Sequence, residues 1–136
     1  MEYQIKPIPN HTGYFCDTDG VIYSAISKGC RDRFDKSKWT TMKPVKYRLG
    51  HNGYARVYLR CDDDNARKDF YVHRIVASIF CPNDDPVNKT QVDHKNNYAF
   101  DNSADNLWWV TPEENRKFAD FEGARTRDEL GRFAHK

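Results

Sequence analysis

A short segment of this 136-residue chain brings together side chains that could bind a metal ion and move a proton. Residues 91–115 read QVDHKNNYAFDNSADNLWWVTPEEN, with Asp93 directly before His94 and with Asn115 at the end. Carboxylate and amide oxygens are ligands that Mg²⁺ accepts, and this ion usually keeps positions for water and substrate phosphate. A histidine can take a proton from water at neutral pH. These residue types indicate metal-assisted hydrolysis of a phosphodiester.

The elements that must position these side chains follow from the local pattern. Residues 91–93 predict a short strand, and residues 106–111 predict a second one. The letters TPEE at 111–114 give a threonine cap, a proline at the first helical position and a glutamate at the third, which is a capping box. A helix therefore begins after the threonine and carries Asn115 one turn inside. If the strands pair and the helix packs across them, Asp93 and Asn115 face each other.

The direction of the His94 side chain stays open at this point. In an extended segment His94 points to the side of the strand opposite to that of Asp93. A bend in the chain would instead bring both side chains to one phosphate.

The upstream sequence favours small antiparallel hairpins. Residues 13–26 read GYFCDTDGVIYSAI, two apolar and aromatic runs around a turn. Residues 53–60 alternate between an apolar face and a basic, aromatic face, and residues 68–72 can return as the partner strand. Residues 73–80 place apolar side chains at helical spacing before Pro82, which predicts a short core helix.

Positive charge is concentrated in the first half of the chain, although the formal net charge is only +2. Residues 1–60 carry 11 Lys or Arg against 5 Asp or Glu, and residues 61–136 carry 11 against 15. Most of the excess lies in residues 28–50, where aromatic side chains interrupt the basic ones. This pattern is typical of a surface that binds the phosphate backbone of a nucleic acid. A basic loop that is only solvated would have the same composition and is an equally supported alternative.

Composition excludes some other classes of protein. The four cysteines are widely spaced without a C-x-x-C pair, so buried free thiols are favoured over a structural zinc site. No segment has the roughly 18 apolar residues of a membrane span, and the first ten residues lack the order of a signal peptide. The chain is therefore expected to be cytoplasmic, without a membrane partner, and to form one compact unit with at most a short appended piece.

The motif residues resemble the HNH homing endonucleases of phages and introns, which carry the ββα-metal (His-Me) finger. The resemblance rests on VHRIVA at 72–77, VDHK at 92–95, Asn106-Leu107, WVT at 109–111 and Asn115. Upstream, KPIP at 6–9, Gly13-Tyr14 and DGVIYS at 19–24 are similar to a small module that often precedes such domains. Together the matches cover residues 5–118.

The resemblance implies a role for each matched residue. His94 matches the general base that activates the attacking water. Asp93 and Asn115 match the two protein ligands of one divalent metal, Mg²⁺, Mn²⁺ or another, which stabilises the transition-state charge and the departing 3′ oxygen. Asn106 matches an asparagine that bonds across the loop and orients the histidine segment. His73 matches a recurrent helix position that the family does not use as its base, and it is interpreted as structural.

The resemblance also implies the architecture. We expect an α+β protein in which small N-terminal antiparallel β hairpins precede a ββα-metal (His-Me finger) HNH domain. The expected boundaries are 1–60 for a β-rich DNA-binding module, 61–120 for the HNH domain and 121–136 for a polar C-terminal tail. The residues expected to contact DNA are basic or aromatic: Lys36, Lys38, Lys43, Lys46, Arg48, Arg56, Arg60, Lys95 and Trp108.

Two positions depart from the family pattern. The family often has Asp-Gly-Asn after its histidine, whereas residues 96–98 read NNY. Asparagine tolerates left-handed turns, so the loop is expected to keep the conformation that the family has there. A polar residue is usual where Trp108 stands, and by alternation Trp109 takes the buried position. Trp108 is then exposed, either stacking on a base or covering the tail.

The leading hypothesis is a metal-dependent endonuclease of double-stranded DNA, either homing-type or nicking, that acts as a monomer or homodimer and leaves a 5′ phosphate and a 3′ hydroxyl. A phage-encoded protein in a bacterial host is the expected setting. Two alternatives remain. One is a DNA-binding module that keeps the HNH scaffold without its chemistry, and the other is a nuclease of RNA or structured DNA.

Overall fold

The computed structural model describes residues 2–50 and 53–116, which form three antiparallel sheets around a central helix. The first sheet contains β1 (Ile5–Pro7), β2 (Tyr14–Asp17), β3 (Ile22–Ser24) and β4 (Lys43–Pro44), in that order. The second contains β5 (Arg48–Leu49), β6 (Ala55–Arg60) and β7 (Arg67–Tyr71), and it leads into helix α1 (Val72–Phe80). The third pairs β8 (Gln91–His94) with β9 (Leu107–Val110), and residues 112–116 then form helix α2. The expected α+β fold is confirmed.

The turn between β2 and β3 is built around the buried carboxylate of Asp17. Its Oδ1 accepts hydrogen bonds from the backbone amides of Asp19 (3.0 Å) and Val21 (2.9 Å). Gly20 has φ +90°, and a Cβ there would lie 2.5 Å from the backbone oxygen of Asn102. Only glycine therefore allows this close approach. The turn fixes the first sheet against the loop between β8 and β9.

Helix α1 provides the apolar face against which the sheets pack. Val76 and Ala77 are fully buried, and they lie in one cluster with Val57 and Leu59 of β6. Complete burial of such a side chain contributes about 1.5–3 kcal/mol relative to exposure. The cluster extends to Ile22 of the first sheet and to the β8–β9 hairpin. One core therefore positions all three sheets.

The second sheet has the alternation expected from its sequence. Ala55, Val57 and Leu59 are buried, and the residues between them point to the opposite face. Strands β6 and β7 pair from Arg56↔Tyr71 to Arg60↔Arg67. This hairpin spans residue 60, where a boundary between modules is expected.

The expected polar tail, residues 121–136, lies outside the described residues.

All four cysteines are free thiols; Cys16 and Cys61 are buried, and Cys30 and Cys81 are partly buried. Burial raises the pKa of the Cys16 thiol to about 12.

Within residues 2–50 and 53–116, no helix is long and apolar enough to cross a membrane.

Candidate active site

The β8–β9 hairpin and helix α2 hold the motif residues. The antiparallel register places Asp93 opposite Trp108 and His94 opposite Leu107. At the start of α2 the amide of Thr111 donates to Glu114 Oε1 (3.0 Å), and the amide of Glu114 donates to Thr111 Oγ1 (2.9 Å). This reciprocal pair confirms the predicted capping box and satisfies two amides at the helix start.

The side chain of Asn106 bridges the loop that connects the two strands. Its Oδ1 accepts from the amide of Asn96 (3.0 Å), while its Nδ2 donates to Asn96 Oδ1 (3.0 Å) and to the backbone oxygen of Asp101 (2.8 Å). Asn97 adopts φ +66°, a left-handed conformation that asparagine tolerates. The loop is therefore closed by side-chain hydrogen bonds directly after His94.

His94 lies on the inner face of β8 and is 5% exposed. The strand continues through it without a bend, so its side chain and that of Asp93 point to opposite faces. His94 Nε2 donates a hydrogen bond to Asn102 Oδ1 at 2.9 Å. A carboxamide oxygen only accepts, so the proton of the neutral ring lies on Nε2 and the lone pair on Nδ1.

The protonation state of His94 follows from its surroundings. Burial lowers the pKa of His94, while the hydrogen bond with Asn102 and the negative charges of Asp93 and Asp101 act in the opposite direction. The net pKa lies below the ordinary value, so the ring is neutral at pH 7. A neutral imidazole with an unprotonated nitrogen is the form that a general base requires.

Aromatic rings surround His94. The Tyr54 ring is stacked on it, with centroids 5.7 Å apart and planes at 13°, and the His73 ring lies 5.0 Å away. His73 is 7% exposed, and its buried Nδ1 has no hydrogen-bond partner among the described residues. Burial, helped by the neighbouring His94 and Arg74, lowers the pKa of His73 to about 3. Both histidines are thus neutral in the folded protein, and Tyr54 covers them.

Asp93 lies on the outer face of β8 beside Trp108. Its Oδ2 accepts a hydrogen bond from Trp108 Nε1 at 3.2 Å. Trp108 is 43% exposed, and the ammonium group of Lys95 lies 5.6 Å from the centre of its ring. The indole therefore orients the carboxylate from the solvent side.

Helix α2 brings Asn115 to the same face of β8. Asn115 Nδ2 donates to Gln91 Oε1 at 2.6 Å, and Gln91 shares a strand face with Asp93 because two residues separate them. The amide nitrogen faces Gln91, so the amide oxygen points away from it. A carboxylate and a carboxamide oxygen on one face are a hard-oxygen donor set, and this set fits Mg²⁺ or Mn²⁺.

Sequence reasoning did not find three of these partners. Asn102, Gln91 and Tyr54 are not among the expected site residues. Gln91 opens the motif strand, and its alternation with Asp93 is the signal that could have placed it at the site. Asn102 and Tyr54 reach His94 only through tertiary contacts, for which the sequence carries no local pattern.

Comparison with known proteins shows which proteins this chain resembles. No family model matches the chain. A solved structure of an HNH homing endonuclease, described as "DNA binding and cleavage by the HNH homing endonuclease I-HmuI", is similar with a TM-score of 0.67 and 28% identity; the match covers 90% of this chain and 60% of that one. The uncharacterized HNH endonuclease L247 of Acanthamoeba polyphaga mimivirus is 46% identical over 67 residues, which are 49% of this chain and 17% of that protein. The chain is therefore similar to HNH endonucleases in both sequence and fold. It spans less than two thirds of either relative.

The residues that are expected to contact DNA divide into two groups. Lys36 and Lys38 lie on a short 3-10 helix, and Lys43 and Lys46 follow it; all four are exposed. Arg48, Arg56 and Arg60 instead lie on one face of the second sheet. Arg67, opposite Arg60 on β7, joins this second group although it is absent from the expected residues.

Arg33 is an exception within the basic segment, residues 28–50. It is 5% exposed, and it donates to Asp62 Oδ1 (2.7 Å), to Asn65 Oδ1 (3.1 Å) and to the backbone oxygens of Thr12 and Cys61. These contacts attach the basic segment to the turn between β6 and β7. Arg33 therefore anchors the segment and is not accessible to DNA.

A second group of possible metal ligands lies at the turn after β6. Cys61, Asp63 and Asp64 offer ligand atoms within 4.8 Å of one another. Asp64 is already paired with the ammonium group of Lys68 at 2.9 Å. This group contains none of the HNH motif residues.

Proposed function

We propose that this HNH chain is a metal-dependent endonuclease, homing-type or nicking, that hydrolyses phosphodiester bonds of double-stranded DNA to leave a 5′ phosphate and a 3′ hydroxyl. The observation that carries the proposal is the neutral, buried His94, whose proton is held on Nε2 by Asn102, on the strand that also carries Asp93. The similarity to I-HmuI, whose structure is described in terms of DNA binding and cleavage, supports it.

Each residue of the proposed site has one role. His94 accepts a proton from water at Nδ1 while Asn102 retains the proton on Nε2. Asp93 and Asn115 are the proposed protein ligands of one divalent cation, Mg²⁺ or Mn²⁺. When bound, such a cation supplies Lewis-acid stabilisation of charge on the phosphate and on the departing oxygen. Asn106 holds the loop that directly follows His94.

The proposed DNA contact uses both basic groups. Exposed lysines of residues 36–46 neutralise phosphates, and the basic face of the second sheet lies against the duplex. Lys95 and Trp108, beside Asp93, complete the proposed contact next to the site. One site per chain cuts one strand at a time, so a monomer nicks and a homodimer cuts both strands. The viral origin of the mimivirus relative supports a cytoplasmic, virus-encoded setting.

One observation favours a second function, DNA binding without cleavage. Trp108 Nε1 occupies one oxygen of Asp93, at a position where the family usually has a polar residue. If this contact keeps a cation from the carboxylate, the chain binds DNA on an HNH scaffold and does not cut it.

Plasmid nicking separates the two functions. Supercoiled plasmid is incubated with the wild-type protein and with His94→Ala, in Mg²⁺, in Mn²⁺ and in EDTA, and thermal melting shows that both proteins are folded. We expect nicking that needs the cation and His94, with DNA binding retained in His94→Ala. Full activity of His94→Ala would overturn the mechanism. Binding without nicking by wild type in either cation would establish the second function.

A further inference from the structure

The exposed face of the second sheet combines four guanidinium groups with a single carboxylate. The pairing Arg48↔Arg56, Arg56↔Tyr71, Tyr58↔Asp69 and Arg60↔Arg67 puts these side chains on one face. The other face of β6 is apolar and buried in the core. Residues on the exposed face therefore contribute little to packing. Their chemistry is suited to an anionic partner.

Asp69 lies between two of these arginines. Its Oδ1 accepts from Arg48 Nη2 at 2.7 Å, and its Oδ2 accepts from Arg56 Nη1 at 3.0 Å. Each carboxylate oxygen thus holds a different guanidinium group.

Tyrosine rings fix the same two arginines from a second side. The guanidinium carbon of Arg48 lies 4.2 Å from the centre of the Tyr58 ring, and that of Arg56 lies 5.1 Å from the Tyr71 ring. A carboxylate and a ring together restrict both the position and the plane of each guanidinium group.

Stability does not account for this arrangement. The side chains of Arg48, Arg56 and Asp69 are 48%, 32% and 31% exposed. Ion pairs at such exposure contribute at most about 1 kcal/mol each. Asp69 also places a negative charge on the face that is proposed to meet phosphates, and this charge weakens sequence-independent binding.

Recognition of DNA bases would explain why the Asp69 carboxylate lies on this face. A phosphate contact requires only a positive charge, whereas an arginine that reads guanine must present its guanidinium fork in a fixed plane to O6 and N7. Flexible arginines lose rotamer freedom on binding, and prior orientation removes part of that cost. Asp69 supplies this orientation for Arg48 and Arg56.

The same face continues to the candidate active site. The Tyr71 ring lies 5.3 Å from that of His73 and 5.9 Å from that of Tyr54, which is stacked on His94. A duplex held on this face therefore extends toward His94, the proposed general base.

We propose that Asp69 is a specificity-determining residue that orients Arg48 and Arg56 to read base edges of duplex DNA, at the expense of sequence-independent affinity. The proposal rests on the proposed function, because it takes duplex DNA as the partner.

The experiment compares wild type with Asp69→Asn, which keeps the size of the side chain and removes its charge. Asp84→Asn is the matched control, because Asp84 has an 80% exposed side chain, pairs with Lys89 at 2.9 Å and lies outside the second sheet. Each protein is bound to a library of random-sequence duplexes in EDTA, the bound fraction is sequenced, and affinity for a pool of unselected duplexes is measured.

We expect wild type to select a sequence that contains guanines. Asp69→Asn should bind the unselected pool several-fold more tightly and show a flattened base preference, while Asp84→Asn behaves as wild type. An unchanged preference in Asp69→Asn, or a wild-type protein without any preference, would overturn the role of Asp69 and leave the nuclease proposal standing. Absence of duplex binding by wild type would instead remove the proposed function itself.

A second variant tests the same proposal if Asp69→Asn does not fold. In Arg48→Lys/Arg56→Lys both charges remain but the planar fork is lost. Affinity for the unselected pool should persist while the base preference disappears. Retention of the wild-type preference in this variant would contradict the inference.

Discussion

The oxygen of the Asn102 side chain accepts a hydrogen bond from Nε2 of His94 across 2.9 Å, inside the closed loop between β8 and β9. This contact fixes the tautomer of the proposed general base, because the acceptor accommodates only a protonated Nε2. The residues that carry the resemblance to HNH endonucleases include His94 but not Asn102. The protonation of the proposed general base therefore depends on the conformation of the loop that carries Asn102.

Replacement of Asn102 by alanine should reduce the nicking rate by roughly 10- to 100-fold, the usual effect of losing a group that orients a functional histidine. Asn102→Asp should instead raise the pKa of His94, because it places a carboxylate against the ring. The acidic limb of its pH–rate profile should then move to higher pH. Asn88→Ala, which removes a hydrogen bond with Asp85 in an exposed loop, is the control. Equal rates and pH profiles in Asn102→Ala and Asn88→Ala would contradict the role of Asn102.

The free energy of unfolding should decrease as the pH falls from about 6.5 toward about 3, because burial lowers the pKa of His73 over this range. The unfolded chain binds a proton at His73 below its ordinary pKa while the folded chain does not, so acid favours unfolding. Urea unfolding at pH 7 and pH 5 measures the effect. The decrease should be smaller in His73→Gln, which does not titrate. The same pH dependence in both proteins would show that His73 is protonated in the folded state.

The change Trp108→Phe should raise the Mg²⁺ concentration needed for half-maximal nicking several-fold. It removes the indole N–H that orients Asp93 and keeps an aromatic ring beside Lys95. Trp109→Phe is the matched control, because the Trp109 indole donates to the backbone oxygen of Cys81 in the core. That variant should lower the melting temperature without changing the Mg²⁺ requirement. A lower Mg²⁺ requirement in Trp108→Phe would show that the indole competes with the cation.

Neutralising Lys43 and Lys46 with glutamine should weaken duplex binding and flatten its salt dependence. Each lost phosphate contact reduces the slope of log affinity against log salt by about 0.9. Lys89→Gln is the control, since Lys89 already pairs with Asp84. The measurement is a binding titration at several salt concentrations. An unchanged slope in the double variant would show that the contact with the DNA backbone lies outside this segment.

The change Arg33→Ala should destabilise the fold by about 1.5–3 kcal/mol, because it removes a charged hydrogen bond to Asp62 and the donor to two backbone oxygens. Lys38→Ala removes an exposed pair with Asp35, at 3.9 Å, and should cost less than about 1 kcal/mol. Denaturant unfolding of the two variants measures the difference. Equal stabilities would mean that the basic segment is anchored without Arg33.

Local patterns in the sequence were sufficient for much of the fold. The capping box at Thr111 depends on residues three positions apart, and the alternation of Ala55, Val57 and Leu59 depends on the period of a single strand. The DTDG turn between β2 and β3 is likewise short-range. Interactions of this range form within one element or one hairpin, so the residue types alone determine them.

Tertiary structure decided which side chains meet. The Asn102–His94 and Asn115–Gln91 contacts, the burial of Arg33 and the holding of two arginines by Asp69 all join separate elements. Their geometry depends on strand register, on loop closure and on the packing of α1, none of which has a local signature in the sequence. The sequence by itself determined the types of residue available for chemistry, and packing around one core determined the partner of each.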